Sequence, residues 1–276
     1  MEFWKFSGAG NDFVTFDNRV GALPGGPARE AWIRRLCARG EGVGADGALI
    51  LESTGDADVR MRYHNADGGE AGMCGNGLRC LARFAHLIGA AGPAMTVRTM
   101  AGRHRAEIVD DTKVRVSITD PGSIRRGLAL DHGGRTYYAT AFDLGVPQVV
   151  IDLEPLCLEL DAIDVGTIGR ALRHHPEVLP AGANINFFRC DGESVRMRTY
   201  ERGVEAETLA CGTGATATAL TMALDRGQGS PVEITTRSGH SLTIGFRREG
   251  DTFRDLTLEG PATLTFRGTL ASALLP

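Results

Sequence analysis

Residue 74 is a cysteine followed by Gly-Asn-Gly, and residue 211 is a cysteine followed by Gly-Thr-Gly. Their separation, 211 − 74 = 137, is about half of the 276-residue chain. Sliding the sequence against itself by 137 brings Tyr63 onto Tyr200, Glu70 onto Glu207, Gly75 onto Gly212 and Gly77 onto Gly214. Further out, Gly8 meets Gly145, Thr99 meets Thr236, Gly102 meets Gly239, and Asn11 meets the chemically similar Gln148. Matches at one offset from the start of each half to its end predict two copies of one structural unit, fused. Two such lobes related by a pseudo-twofold axis would form a cleft, and clefts between domains are favoured ligand sites.

Local patterns agree with two similar lobes. The segment 58–65 alternates, with Val59, Met61 and Tyr63 on one face and Arg60 and Arg62 on the other, and predicts a strand. Residues 194–201 behave likewise. A helix is predicted over 27–40, with Pro27 near its start and Gly40 as its stop. Two more helices should follow the cysteine motifs and end near Gly89 and Gly227, each succeeded by a strand–turn–strand pattern, 95–109 and 232–246. Strands and helices mix without regular βαβ alternation, so the fold class predicted is α+β. The boundary between lobes is placed near 118–123, where a strand gives way to Pro121 and Gly122.

Composition narrows the function. A net charge of −4 and the lack of a Lys/Arg cluster argue against a nucleic-acid partner. With 42% hydrophobic residues the chain can bury a real core. No apolar run approaches the ~18 residues needed to span a bilayer, and the N-terminus does not resemble a signal peptide. The expected compartment is the cytoplasm, where thiols stay reduced. Six cysteines in a chain this long do not make a disulfide framework, and Cys37, Cys157 and Cys190 are expected to be small buried hydrophobes.

Cys74 and Cys211 are different. The first N–H groups of a helix lack intrahelical partners, and the helix dipole puts partial positive charge there. A cysteine at that place is expected to have a lowered pKa. Gly75, Gly77, Gly212 and Gly214 clear side chains from the turn, so a substrate carboxylate could reach the backbone N–H groups. If the two cysteines face one carbon from opposite sides, a thiolate can remove its proton on one face while a thiol delivers a proton to the other. That inverts a stereocentre, with the carboxylate absorbing the developing charge. No Walker loop, HExxH or CxxC motif is present, and the chemistry needs neither metal nor cofactor. Three other readings are weighed. Cys74 and Cys80 could ligate a metal, but their spacing fits no common zinc pattern. Cys74 and Cys211 could form a redox disulfide. A binding protein could use the cleft alone, but it would have no need of two thiols.

These motifs, with "GAGNDF" (8–13), "NADGGEAGMCGNGLRC" (65–80), "GANINFF" (182–188) and "YERGVEAETLACGTGA" (200–215), resemble the diaminopimelate epimerase family over nearly the whole chain. The resemblance implies two similar α+β lobes, each a curved mixed sheet wrapped around a central helix. The last strand would return to the first lobe, giving 1–118 with 264–276, and 119–263. It implies Cys74 and Cys211 as the acid–base pair, and Asn11, Asn65, Asn184, Glu201 and Arg202 as substrate-binding. The backbones of Gly75-Asn76 and Gly212-Thr213 would hold the reacting carboxylate. Glu201 would meet the substrate ammonium and tune the thiols, and Arg202 and Asn65 would take the distal end. A homodimer is implied too. The sequence departs from the family pattern at three positions: Val146 replaces an asparagine that contacts the distal part of the substrate, Gln148 a histidine that tunes the cysteines, and Gly47 a glutamine. Relatives of this fold racemise other amino acids, including histidine and proline derivatives, so the expected alternative is a related racemase with different distal specificity.

Overall fold

The computed structural model describes residues 1–178, 180, 182–192 and 194–276. The described residues divide into two compact units, Met1–Ser117 with Glu259–Pro276, and Ile118–Leu258. The first unit contains β1 (Glu2–Gly8), β2 (Asn11–Asp17), α1 (Gly26–Cys37), β3 (Gly47–Glu52), β4 (Val59–Asn65), β5 (Glu70–Ala71), α2 (Gly75–Leu87), β6 (Ala94–Thr99), β7 (Gly102–Ile108) and β8 (Lys113–Ser117). The second contains β9 (Ser123–His132), β10 (Arg135–Asp143), β11 (Pro147–Asp152), α3 (Val165–Arg173), β12 (Asn184–Asp191), β13 (Ser194–Glu201), β14 (Ala206–Thr208), α4 (Gly212–Arg226), β15 (Val232–Thr235) and β16 (Ser241–Glu249). β17 (Thr252–Pro261) carries the chain out of the second unit, and β18 (Thr263–Thr269) lies in the first. Residues 259–263, given to the second lobe on sequence, therefore fall in the first unit. The switch happens inside a strand, just before Gly260-Pro261.

The two units repeat one pairing scheme. β1 runs antiparallel to β2, β2 parallel to β3, β3 antiparallel to β4, β4 antiparallel to β5 and parallel to β6, and β6 antiparallel to β7. In the second unit β10 runs antiparallel to β11, β11 parallel to β12, β12 antiparallel to β13, β13 antiparallel to β14 and parallel to β15, and β15 antiparallel to β16. β18 pairs antiparallel with β1 as β9 pairs with β10, so the last strand stands in the first unit where β9 stands in the second. The sheet is mixed and the fold α+β.

Each sheet wraps one helix. Ten successive residues of α2, Asn76 to Ala85, are buried, as are ten of α4, Gly214 to Ala223. A helix covered on every side has no polar face to show. α4 meets this with small residues. Its buried Thr216, Thr218 and Thr221 hydroxyls donate to the carbonyls of Gly212, Gly214 and Ala217 at 2.9, 2.9 and 3.0 Å, so they cost little to bury. α4 ends where Gly227 takes a left-handed φ of 67°. The other helices pack on the opposite sheet faces. α1 puts Trp32, Ile33, Leu36 and Cys37 against Phe16, Ala48 and Ile50. α3, a helix without a clear sequence signal, puts Val165, Ile168 and Leu172 against Ile185, Phe187 and Tyr200. Its Asp164 cap accepts from Thr167 N at 2.9 Å.

Three expectations need correction. α1 stops at Cys37, and Gly40 lies in the turn beyond, because the chain already turns extended at Ala38. Tyr63 is only half-buried, and His64 on the other face of β4 is buried, since its Nδ1 meets Gly68 O at 2.9 Å under the α1 side. Cys157 is exposed, in a turn with φ 53°, and Cys190 is half-buried against Met222; only Cys37 behaves as a buried hydrophobe.

Two outcomes follow from this packing. A Cβ on Gly169 would overlap the Tyr200 side chain. Gly169→Ala should therefore lower urea stability by about 1–3 kcal/mol; a gain in stability would show that α3 is not pressed onto Tyr200. Burial pushes the Cys37 thiol up to about 11 and Cys80 up to about 12. Both folded values lie above the unfolded value of 9.0, so the unfolded chain loses these protons first. Their contribution is whole below pH ~9 and is lost as pH rises toward 11–12, about 2 kcal/mol each by pH ~10.5. The urea midpoint should fall between pH ~8 and ~10.5, and less steeply in a Cys37→Ala, Cys80→Ala double variant. Equal slopes would contradict the assignment.

Candidate active site

Both cysteines of the repeat cap helices. Cys74 is the N-cap of α2, and its Sγ accepts from Gly77 N at 3.4 Å. Cys211 is the N-cap of α4, and its Sγ accepts from Gly214 N at 3.3 Å. A thiol here takes the place usually held by a hydroxyl or carboxylate. The predicted residues fall at repeated positions: Asn11 and Gln148, Gly47 and Asn184, Asn65 and Arg202, and Asn76 and Thr213 are each 137 apart.

In the first unit, Asn76 Nδ2 donates to Asn11 Oδ1 at 2.6 Å, and Asn76 Oδ1 accepts from Arg79 Nη2 at 2.8 Å. The Asn11 amide is steadied by Asp46 Oδ2 at 3.2 Å. Arg79 is fully buried, bonded also to Pro261 O at 3.3 Å and Gly75 O at 3.5 Å. Among the described residues no carboxylate lies within ion-pair distance of it; the groups whose charge bears on it are Cys80 and Cys74. Burial pulls its pKa down, but a guanidinium stays charged, so a buried cation stands one turn inside the Cys74 cap. Asn65 is exposed at the end of β4, where its carbonyl closes a turn with Gly68 N at 2.9 Å and its Oδ1 accepts from Tyr63 OH at 2.7 Å. A Cβ on Gly47 would lie 2.5 Å from His64 O and 2.8 Å from the Tyr63 ring. The Tyr63 ring thus fills the space that a longer side chain at 47 would need.

In the second unit, Asn184 Nδ2 donates to Cys211 Sγ at 3.6 Å, and Asn184 Oδ1 accepts from Arg202 N at 2.8 Å. Gln148 is fully buried and its Nε2 donates to Thr213 Oγ1 at 2.9 Å, at the positions of Asn11 and Asn76 but with donor and acceptor exchanged. Thr213 Oγ1 is 3.5 Å from Cys211 Sγ. Burial raises the Glu201 carboxyl. A lowered thiol pKa was expected at Cys211, but the structure gives the reverse. Burial, then the Glu201 charge, push it up to about 12, and the N–H, amide and hydroxyl donors only partly offset them. Without substrate, Cys211 is a thiol. Sequence reasoning gave no role to Arg79, Asn186, Tyr63 and Thr199; Arg79 and Asn186 stood in the quoted motifs and Tyr63 in the repeat, while Thr199 looked like an ordinary strand residue. Among the described residues no group of three or more His, Cys, Asp or Glu side chains forms a metal cluster, and Cys80 is buried against Gly8. No described helix is long and apolar enough to cross a membrane.

The two-copy α+β architecture is shared with solved structures of low sequence identity. A probable proline racemase from Agrobacterium radiobacter K84 superposes with a TM-score of 0.72 at 18% identity, over 98% of this chain and 93% of that one. A hydroxyproline epimerase from Agrobacterium vitis gives 0.72 at 16%, over 97% and 91%. This is the fold of racemases and epimerases, but also of phenazine-biosynthesis PhzF proteins, so fold alone does not select among them. Sequence does. The diaminopimelate epimerase family model matches residues 3–124 and 140–265. Diaminopimelate epimerase of Aquifex aeolicus is 39% identical over 100% of this chain and 99% of its own length, and that of Chlorobaculum tepidum 40% over 96% and 99%. The chain belongs to the diaminopimelate epimerase family.

Because the Glu201 charge raises Cys211, Glu201→Gln should let Cys211 react with iodoacetamide at lower pH, several-fold faster at pH ~9. A slower reaction would show that Glu201 acts on the thiol in some other way.

Proposed function

We propose that this chain interconverts LL- and meso-diaminopimelate by two-base proton transfer at Cα, serving lysine and peptidoglycan precursor synthesis. The observation that carries the reading is the pair of thiols, each capping a helix buried on all sides, at one repeated position. The N–H groups of Gly75-Asn76 and Gly212-Thr213 hold the reacting carboxylate, as the open first turn of a helix holds an anion. Glu201 receives the substrate ammonium. That pairing neutralises the charge that keeps Cys211 protonated, so substrate arrival itself makes proton transfer from this thiol easier. In one direction a thiolate takes the Cα proton, the electron pair spreads into the carboxylate, and the other thiol supplies a proton to the opposite face. The enzyme is left with its two protonation states exchanged and resets through solvent.

Asn11, Asn65, Asn184 and Arg202 take the rest of the substrate, Arg202 being suited to a distal carboxylate. Gln148 acts on the site through Thr213 and does not titrate near neutral pH. A homodimer and a cytoplasmic setting belong to the same proposal and rest on the family resemblance.

Cys74→Ala and Cys211→Ala should each fold and each lower the LL-to-meso rate by at least about a hundredfold, the scale of a lost acid or base. Circular dichroism checks folding, and chiral chromatography of the product checks rate. Near-full activity in either variant would rule out a two-thiol mechanism.

A further inference from the structure

A buried polar chain runs from the middle of the second sheet to Cys211, and one atom in it fixes its direction. Asn186 is fully buried. Its Nδ2 lies 3.1 Å from Val149 O, and a backbone carbonyl can only accept. The NH2 group of Asn186 must therefore face that way, which leaves Oδ1 facing Thr199 Oγ1 at 2.8 Å, so the hydroxyl donates. The second hydrogen of the same NH2 goes to Gln148 Oε1 at 3.0 Å. With its oxygen so engaged, Gln148 can offer Thr213 only its NH2, at 2.9 Å. Thr213 accepts that bond and its own proton is left for Cys211 Sγ, 3.5 Å away.

The fold does not require this chain. The residue 137 before Asn186 is Leu49, also fully buried, and it stands against Gly77 as Asn186 stands against Gly214. A Cβ on Gly77 would lie 3.0 Å from Leu49 Cδ2; a Cβ on Gly214 would fall on Asn186 Oδ1. One position in one architecture is apolar in one copy and polar in the other. A buried amide is costly unless bonded; here Thr199 and Val149 O hold it and its NH2 leads through Gln148 to the site.

We propose that Thr199 and Asn186 are positioning residues that orient the Gln148 amide, so that the Thr213 hydroxyl is held as a hydrogen-bond donor to Cys211 Sγ. The inference rests on Cys211 being an acid–base thiol. The direction is fixed when the sulfur is a thiolate, which can only accept, and the Thr213 proton is the one not turned toward Gln148. The charged group beside Cys211 is Glu201 from β13; Asn184 and Asn186 from β12 and Gln148 from β11 are neutral, and Glu207 from β14 is paired with Arg198 at 2.6 Å.

The test is the rate at which iodoacetamide labels Cys211 in the full-length protein at pH ~9, read on the Cys211 peptide by mass spectrometry, beside the pH profile of kcat/KM. Thr213→Val and Asn186→Leu should each slow labelling about tenfold, the effect of one hydrogen bond to a charged group. Their acidic limb of kcat/KM should move up by about one pH unit, with kcat falling and KM changing less than threefold. Gln148→Met, which keeps the length, adds no charge and cannot donate, should do the same. Thr213→Ser, which keeps the hydroxyl, should restore labelling. Folded Thr213→Val and Asn186→Leu proteins with unchanged labelling and unchanged limbs would overturn the proposal. If Asn186→Leu failed to fold, Thr199→Val and Gln148→Met would decide, because unchanged labelling in both is equally fatal. Slowed labelling in a protein whose wild type does not epimerise diaminopimelate would uphold the chain of bonds and reject the assigned reaction instead.

Discussion

The sulfur-to-backbone contact at the start of each central helix is the constraint on which the rest depends. A helix covered along its length leaves its first N–H groups without intrahelical partners at a half-buried end. At α2 and α4 the cap is a thiol, taking the N–H of Gly77 or Gly214. The remaining donors of the first turn are left for an anion. The glycines follow from this. At 77 and 214 the backbone runs so close to the cap and to the neighbouring strand that a side chain would collide with Leu49 or Asn186. The sheet then has to close around the helix, which explains the long mixed strands and the need for β18 to complete the first unit.

Two copies of one unit have diverged where electrostatics matters. Inside the Cys74 cap the helix carries Arg79, a buried guanidinium; at the repeated position α4 carries Thr216, whose hydroxyl turns back to Gly212 O at 2.9 Å. Where the first copy has the buried His64, the second has Glu201, and where the first has Leu49 the second has Asn186. Cys74 thus lies near a fixed positive charge, whereas Cys211 lies near a carboxylate and neutral donors. A pair of chemically identical residues is made unequal by neighbours only a turn or a strand away, which is what an acid and a base drawn from the same side chain require.

Much of this was legible in the chain. The constant offset announced two units, and the Cys-Gly-x-Gly motifs located both helix starts to the residue. The β4 and β13 strands, with the hairpins after each helix, followed from alternation and glycine turns. What stayed hidden has physical reasons. α3 is short and leans on tertiary packing against Tyr200. The second unit boundary lies within β17, which stays a continuous strand up to Gly260-Pro261. His64 broke the alternation of β4 because loop and helix cover its second face. The raised Cys211 thiol could not be read from a helix start alone, because burial and Glu201 outweigh the helix end. Asn186 stood in a quoted motif and Thr199 looked like an ordinary strand residue, but the direction of their bonds is set by a carbonyl, Val149 O, known only from the fold.

The central claim, that two different thiols act on one carbon, is tested most directly by following the first turnovers of LL-diaminopimelate in D₂O by proton NMR. Two bases predict that meso product carries deuterium at the inverted carbon from the outset, while the remaining LL substrate keeps its α-proton early in the reaction. Equal early deuterium in substrate and product would mean one base working on both faces, and would contradict the account.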